Sequence, residues 1–123
     1  MNKNQLVGTW NFVSCVAQTS TGETHYPWGH DAKGFLSYTP EGYVFVTSMN
    51  ATTFESYCGT YAIEDNSVTH NIDLCSNRAF NGTSQKRFFS LNGDELSLTT
   101  APINVDGVTH SANLMWRRVS SEG

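Results

Sequence analysis

Gln85-Lys86-Arg87-Phe88-Phe89-Ser90-Leu91-Asn92-Gly93-Asp94-Glu95-Leu96-Ser97-Leu98-Thr99-Thr100 is the stretch that decides the fold. Apolar side chains recur at every second position on both sides of Asn92-Gly93, and a period of two is the signature of a strand with one face buried. Asn-Gly supplies the left-handed conformations that a tight two-residue hairpin needs. Two antiparallel strands are therefore expected here.

The same pattern spreads outward in both directions. Upstream, Val68-x-His70-x-Ile72-x-Leu74 is expected to run back from an Asp65-Asn66 turn against a strand carrying Tyr57, Gly59, Tyr61 and Ile63. Further upstream, Thr39-Pro40-Glu41-Gly42 joins Gly34–Tyr38 to Tyr43–Thr47, with Pro presetting one turn dihedral and Gly tolerating the other. Trp10-x-Phe12-x-Ser14-x-Val16 opens the series, and a turn near Gly22 ends it. Downstream, Ala101-Pro102 breaks a strand, and a last one from about Thr109 to Val119 places Ala112, Leu114, Trp116 and Arg118 on one face. No stretch holds a 3.6-residue period for more than a turn.

The composition agrees. The 123 residues make one domain, 1–123, with 12% aromatic residues and 10 glycines, which suits short strands and tight turns. A formal net charge of −4 with only 15% charged residues offers no basic face for nucleic acid or anionic lipid. Met1-Asn-Lys-Asn-Gln5 has no charged and apolar leader character, and no apolar run spans a bilayer, so a cytoplasmic protein is expected, monomer or homodimer, without a membrane partner. Cys15, Cys58 and Cys75 are odd in number and lack CxxC spacing, which reads as free thiols. His25 and His30 with Asp31 lack a third ligand at a familiar spacing, so no metal is expected, and no motif calls for a cofactor. Asn50-Ala51-Thr52 and Asn81-Gly82-Thr83 are chance matches to the glycosylation pattern.

About nine strand segments joined by hairpins must stack or close, and closure is favoured. The fold class is all-β, a single closed up-and-down antiparallel barrel of about eight to nine strands, whose interior holds packed side chains or one small ligand. Its expected inner face includes Ser14, Tyr57, Tyr61, His70, Gln85 and Arg87 among apolar residues. Polar groups are costly to bury unless they meet each other, water or a ligand, so this composition points to a cavity.

Leu6-Val7-Gly8-Thr9-Trp10 and Leu114-Met115-Trp116-Arg117-Arg118-Val119 resemble the two ends of calycins, in which an Arg of the last strand packs over the Trp of a Gly-x-Trp strand. The pattern Tyr26-Pro27-Trp28-Gly29, Gly34-x-Leu36-x-Tyr38-Thr39-Pro40-Glu41-Gly42-Tyr43, Tyr57-x-Gly59-x-Tyr61, His70, Gln85-x-Arg87-x-Phe89-x-Leu91-x-Gly93-Asp94 and Trp116-x-Arg118-Val119 is similar to the small bacterial and fungal lipocalin-like domain family. Ala101-Pro102 stands where that family has Pro-Pro. The resemblance implies one barrel with an internal small-molecule pocket and a setting in secondary metabolism or stress. Related barrels include carriers of hydrophobic compounds and cofactor-free cyclases and isomerases, so fold alone does not choose between them.

His70, Arg87 and Tyr61 are the candidate catalytic residues, placed in one patch by three successive inward strand faces. An imidazole near its ordinary pKa could transfer protons, or it could be a hydrogen-bonded core histidine. Arg87 needs an internal carboxylate or an anionic or carbonyl ligand, and the inward faces offer few Asp or Glu. Ser14, Trp28, Tyr38, Tyr43, Tyr57, Gln85 and Phe89 are expected to contact the ligand, with Trp28 over the barrel mouth; for the tyrosines the other reading is a wall residue with its hydroxyl at a rim. Two functions follow. One is a cofactor-independent cyclase, isomerase or lyase acting on a hydrophobic polyketide- or terpenoid-like compound; the other is a carrier that uses the same cavity without chemistry.

Overall fold

A computed structural model describes residues 5–119; the leader reading of Met1–Asn4 lies outside them. Ten strands and one 3-10 turn follow in order: β1 (Gly8–Thr19), β2 (Thr24–His25), β3 (Lys33–Tyr38), β4 (Tyr43–Met49), β5 (Phe54–Glu64), β6 (Ser67–Cys75), the turn Arg78–Phe80, β7 (Ser84–Asn92), β8 (Glu95–Thr100), β9 (Ile103–Val105) and β10 (Val108–Arg118). Strands β1, β3, β4, β5, β6, β7, β8 and β10 pair antiparallel in that order, and β10 returns to β1 to close the barrel. The short β2 and β9 extend β1 and β10. The all-β, closed up-and-down barrel expected from the periodicity is the fold. No helix among the described residues is long and apolar enough to cross a membrane.

Turn chemistry differs from expectation in detail. Asn92 pairs with Glu95, so the hairpin loop is Gly93-Asp94, one residue on from Asn92-Gly93, and Gly93 supplies its positive φ of 62°. Strand β9 was not foreseen. Asp106 and Gly107, with φ of 52° and 82°, form the tight turn that carries it into β10.

Two β-bulges reset which residues face inward. Register slips between Phe12 and Ser14, so Trp10 and Phe12 pack inward but Cys15, not Ser14, lies buried against the interior. A second slip between Cys58 and Gly59 sets Cys58 opposite Leu74 and Gly59 opposite Ile72. Ile72 is buried and Leu74 is 65% exposed, although strict alternation would have put both inside. Gly59 makes the second bulge possible, because a Cβ there would collide with the Asn71 carbonyl.

One end of the barrel is packed solid by Leu6, Trp10, Tyr38, Val44, Val68 and Leu96, all essentially inaccessible. The chain before β1 forms the plug: Trp10 Nε1 donates to the Leu6 carbonyl at 3.0 Å. Arg118 lies over the Trp10 ring at 4.2 Å and donates to the carbonyls of Val7 and Gln5, both at 3.0 Å. The last strand thus pins the first.

Candidate functional site

Beyond this plug the interior opens into a cavity of about 290 Å³, and each of the eight barrel strands contributes to its wall. Leu36, Val46, Leu98, Leu114 and Trp116 make it predominantly apolar; Cys15, Ser48, Glu55, Tyr57, His70 and Arg87 add polar atoms. Pro27 and Trp28, from the segment between β2 and β3, lie against its mouth, and Asn50 Nδ2 holds the Trp28 carbonyl at 3.2 Å.

The polar centre is a chain of three side chains from β3, β6 and β5. Tyr38 Oη lies 2.7 Å from His70 Nε2, and Tyr57 Oη lies 2.7 Å from His70 Nδ1. His70 is 1% exposed, and burial followed by the positive field of Arg87 lowers its pKa to about 3. The imidazole is therefore neutral at physiological pH and carries one proton. Burial pushes both phenols well above their ordinary pKa, so they are neutral too.

The surroundings of Tyr38 fix where the ring proton sits. Tyr38 is 1% exposed, and its hydroxyl has His70 Nε2 as its hydrogen-bond partner among the described residues. Were Nε2 protonated, the Tyr38 hydrogen would be buried without an acceptor, which costs about 1–3 kcal/mol. Tyr38 accordingly donates to Nε2, and Nδ1–H donates to Tyr57 Oη. That leaves the Tyr57 hydrogen without an acceptor among the described residues, on a residue that lines the cavity.

Arg87 lines the same cavity. Its Nη1 donates to the Lys86 carbonyl at 3.2 Å, and no carboxylate lies within ion-pair distance of it among the described residues. Glu55 is the one acid in this wall, in keeping with inward faces that offer few Asp or Glu. Strand β5 starts at Phe54, and Glu55 pairs with the buried Ser48, which brings it to the inner face. Trp116 Nε1 is buried without a hydrogen-bond partner among the described residues.

The expected patch of Tyr61, His70 and Arg87 is only partly assembled. His70 and Arg87 both line the cavity. Tyr61 sits opposite His70 in register and packs on the core, but its hydroxyl donates to the Thr39 carbonyl at 2.8 Å, and it is not in the cavity wall. Among the expected ligand contacts, Trp28 and Tyr57 line the cavity, and Tyr38 stands behind His70. Ser14 is displaced by the β1 bulge. Tyr43 is on the outer face, half-exposed, because its neighbour Val44 points inward. Phe89 packs on the core outside the cavity wall, and Gln85 borders a smaller depression of about 110 Å³ that shares Glu55, Tyr57 and Arg87 with the main cavity. Cys15, Ser48 and Glu55 were missed: the β1 bulge brings in Cys15, the start of β5 at Phe54 brings in Glu55, and Ser48 continues the Val44–Val46 alternation because β4 runs on to Met49. His25 and His30 lie on exposed backbone around β2, where the His30 ring packs against Tyr26 at 4.5 Å.

A family profile described as Lipocalin-like domain matches residues 7–56 and 48–119 in two overlapping segments. The chain belongs to the lipocalin-like domain family. Within curated proteins it is similar to the 4'-hydroxy-3'-methoxypropiophenone carrier protein ppsC of Aspergillus oryzae, 26% identical over 99 residues that cover 73% of this chain and 86% of the relative. This lipocalin-like barrel thus shares most of its length with a carrier of an aromatic ketone.

Proposed function

We propose that the barrel binds and carries a small oxygenated aromatic compound of polyketide type. The Tyr57 hydroxyl carries the reading: the Tyr38–His70–Tyr57 chain leaves it a donor on the wall of an otherwise apolar cavity. A volume of about 290 Å³ is at the small end of ligand sites and suits a one- or two-ring molecule. The name of the fungal relative, a carrier of a hydroxylated and methoxylated aryl ketone, supports the same class. The free thiols Cys15, Cys58 and Cys75 support a reducing compartment such as the cytoplasm.

Titrating the protein with hydroxylated and methoxylated aryl ketones while following tryptophan emission tests this, since Trp28 and Trp116 line the cavity. Saturable quenching is expected, and Tyr57→Phe should weaken it by about tenfold, the worth of one buried hydrogen bond. No binding of any such ketone would overturn the reading.

One observation favours a second reading. Tyr57 and Arg87 present donors on one wall, as a cofactor-independent cyclase, isomerase or lyase would need to polarise a carbonyl. In that case bound compounds should come back altered by mass spectrometry; a carrier returns them unchanged.

A further inference from the structure

Arg87 is the one permanent cation in the cavity wall, and no carboxylate pairs with it among the described residues. Around it, Cys15 of β1, Tyr38 of β3, Tyr57 of β5 and His70 of β6 are held neutral by burial. Glu55 of β5 is the single acid in the wall, and it lies beyond 4.0 Å of the guanidinium. The interior therefore offers a guanidinium and the Tyr57 O–H, both donors, with the compensating anion missing. A partly buried guanidinium gains more from an anion than from a neutral acceptor.

Building on the carrier reading, we propose that the cavity selects acidic phenols and holds them as the phenolate, with the oxygen between Tyr57 Oη and Arg87. The aromatic ring then lies among Leu36, Val46, Leu98 and Leu114, and Trp28 covers it from the mouth. Glu55 opposes the anion and sets a limit on how strongly it is preferred. Nothing is transformed: the phenol loses its proton to solvent as it binds.

The test uses the full chain with 4-nitrophenol, whose phenolate absorbs visible light, and 4-nitroanisole, which cannot ionise. Bound nitrophenol is expected to ionise at least one pH unit below the free compound, which means the phenolate is held at least tenfold more tightly than the phenol. Above the pH at which the free phenol ionises, nitroanisole should bind at least tenfold more weakly. Arg87→Gln should abolish the downward shift, Arg87→Lys should keep part of it, and Glu55→Gln should enlarge it. Equal binding of the two probes, or ionisation of bound nitrophenol at an unchanged or higher pH, would overturn anion selection and leave the carrier reading standing. If neither probe binds while an aryl ketone still quenches tryptophan emission, anion selection falls and the carrier reading stands; if neither the probes nor any aryl ketone quenches it, both fall.

Discussion

The guanidinium of Arg118 covers the indole of Trp10, 4.2 Å from the ring centre, and the two residues are direct partners in the β1–β10 ladder. Closure of the barrel and capping of its solid end are thus one contact. The indole is fully buried, hydrogen-bonded to Leu6, and stacked beneath a cation that ties down the chain before β1.

Trp10→Ala should destabilise the protein by about 3–5 kcal/mol, because a large cavity opens in a packed layer. Arg118→Leu should cost less, losing the cation–π contact and leaving the Val7 and Gln5 carbonyls to water. Urea unfolding midpoints would measure both; a smaller loss for Trp10→Ala than for Arg118→Leu would contradict this view of the closed end.

His70 makes stability depend on pH. Its folded pKa, about 3, lies below the ordinary value of 6.5, so between these limits the unfolded chain binds the extra proton. Its contribution is complete above pH 6.5 and is lost as pH falls through that window, by up to about 1.4 kcal/mol per pH unit. His70→Gln should flatten the stability profile there. Nitrogen NMR at pH 6 should show a neutral ring protonated at Nδ1; an imidazolium, or a proton on Nε2, would refute the assigned chain.

Gly59→Ala should be among the most damaging single substitutions, since the new Cβ meets the Asn71 carbonyl and neighbouring backbone that cannot give way. A loss above about 3 kcal/mol, or failure to fold, is expected. Gly22→Ala is the comparison: its Cβ finds open space, and only the positive φ of 95° opposes it, at about 1–2 kcal/mol. Equal losses at the two positions would show that the close approach at the β5 bulge is unimportant.

Trp28→Ala should weaken binding of an aromatic ketone several-fold with little effect on stability, because Trp28 lines the mouth rather than the core. Tyr43→Ala, on the outer face, should leave binding unchanged. Isothermal titration of the two variants decides whether the ligand lies inside the barrel; a loss on Tyr43→Ala alone would place it outside.

The barrel was legible because strand periodicity and turn residues are local properties, written in neighbouring positions. Trp10 with Arg118, the inward His70 and the Trp28 segment could be placed from that pattern and the family resemblance. The site was less legible for two physical reasons. A bulge adds a residue without marking itself in composition, so Ser14 and Leu74 exchanged faces with expectation and Cys15 came inside. Hydrogen-bond partners are set by distance in space: the Tyr61 hydroxyl reaches the Thr39 carbonyl, while His70 is shared by Tyr38 and Tyr57. His70, open in sequence to proton transfer or to a hydrogen-bonded core role, is held neutral between the hydroxyls of Tyr38 and Tyr57.

The bulge after Phe12 also has a consequence for how such a protein can diversify. It divides one strand into two stretches with separate duties, Trp10 and Phe12 serving the packed end and Cys15 the wall of the cavity. Side-chain exchanges in the second stretch, or at Ser48 and Leu98 across the cavity, alter the shape offered to a guest while the Trp10–Arg118 seal keeps its contacts. Robustness and adaptability are thereby assigned to opposite poles of one small barrel, and new ligand preferences can be acquired without drawing on the stability that holds it shut.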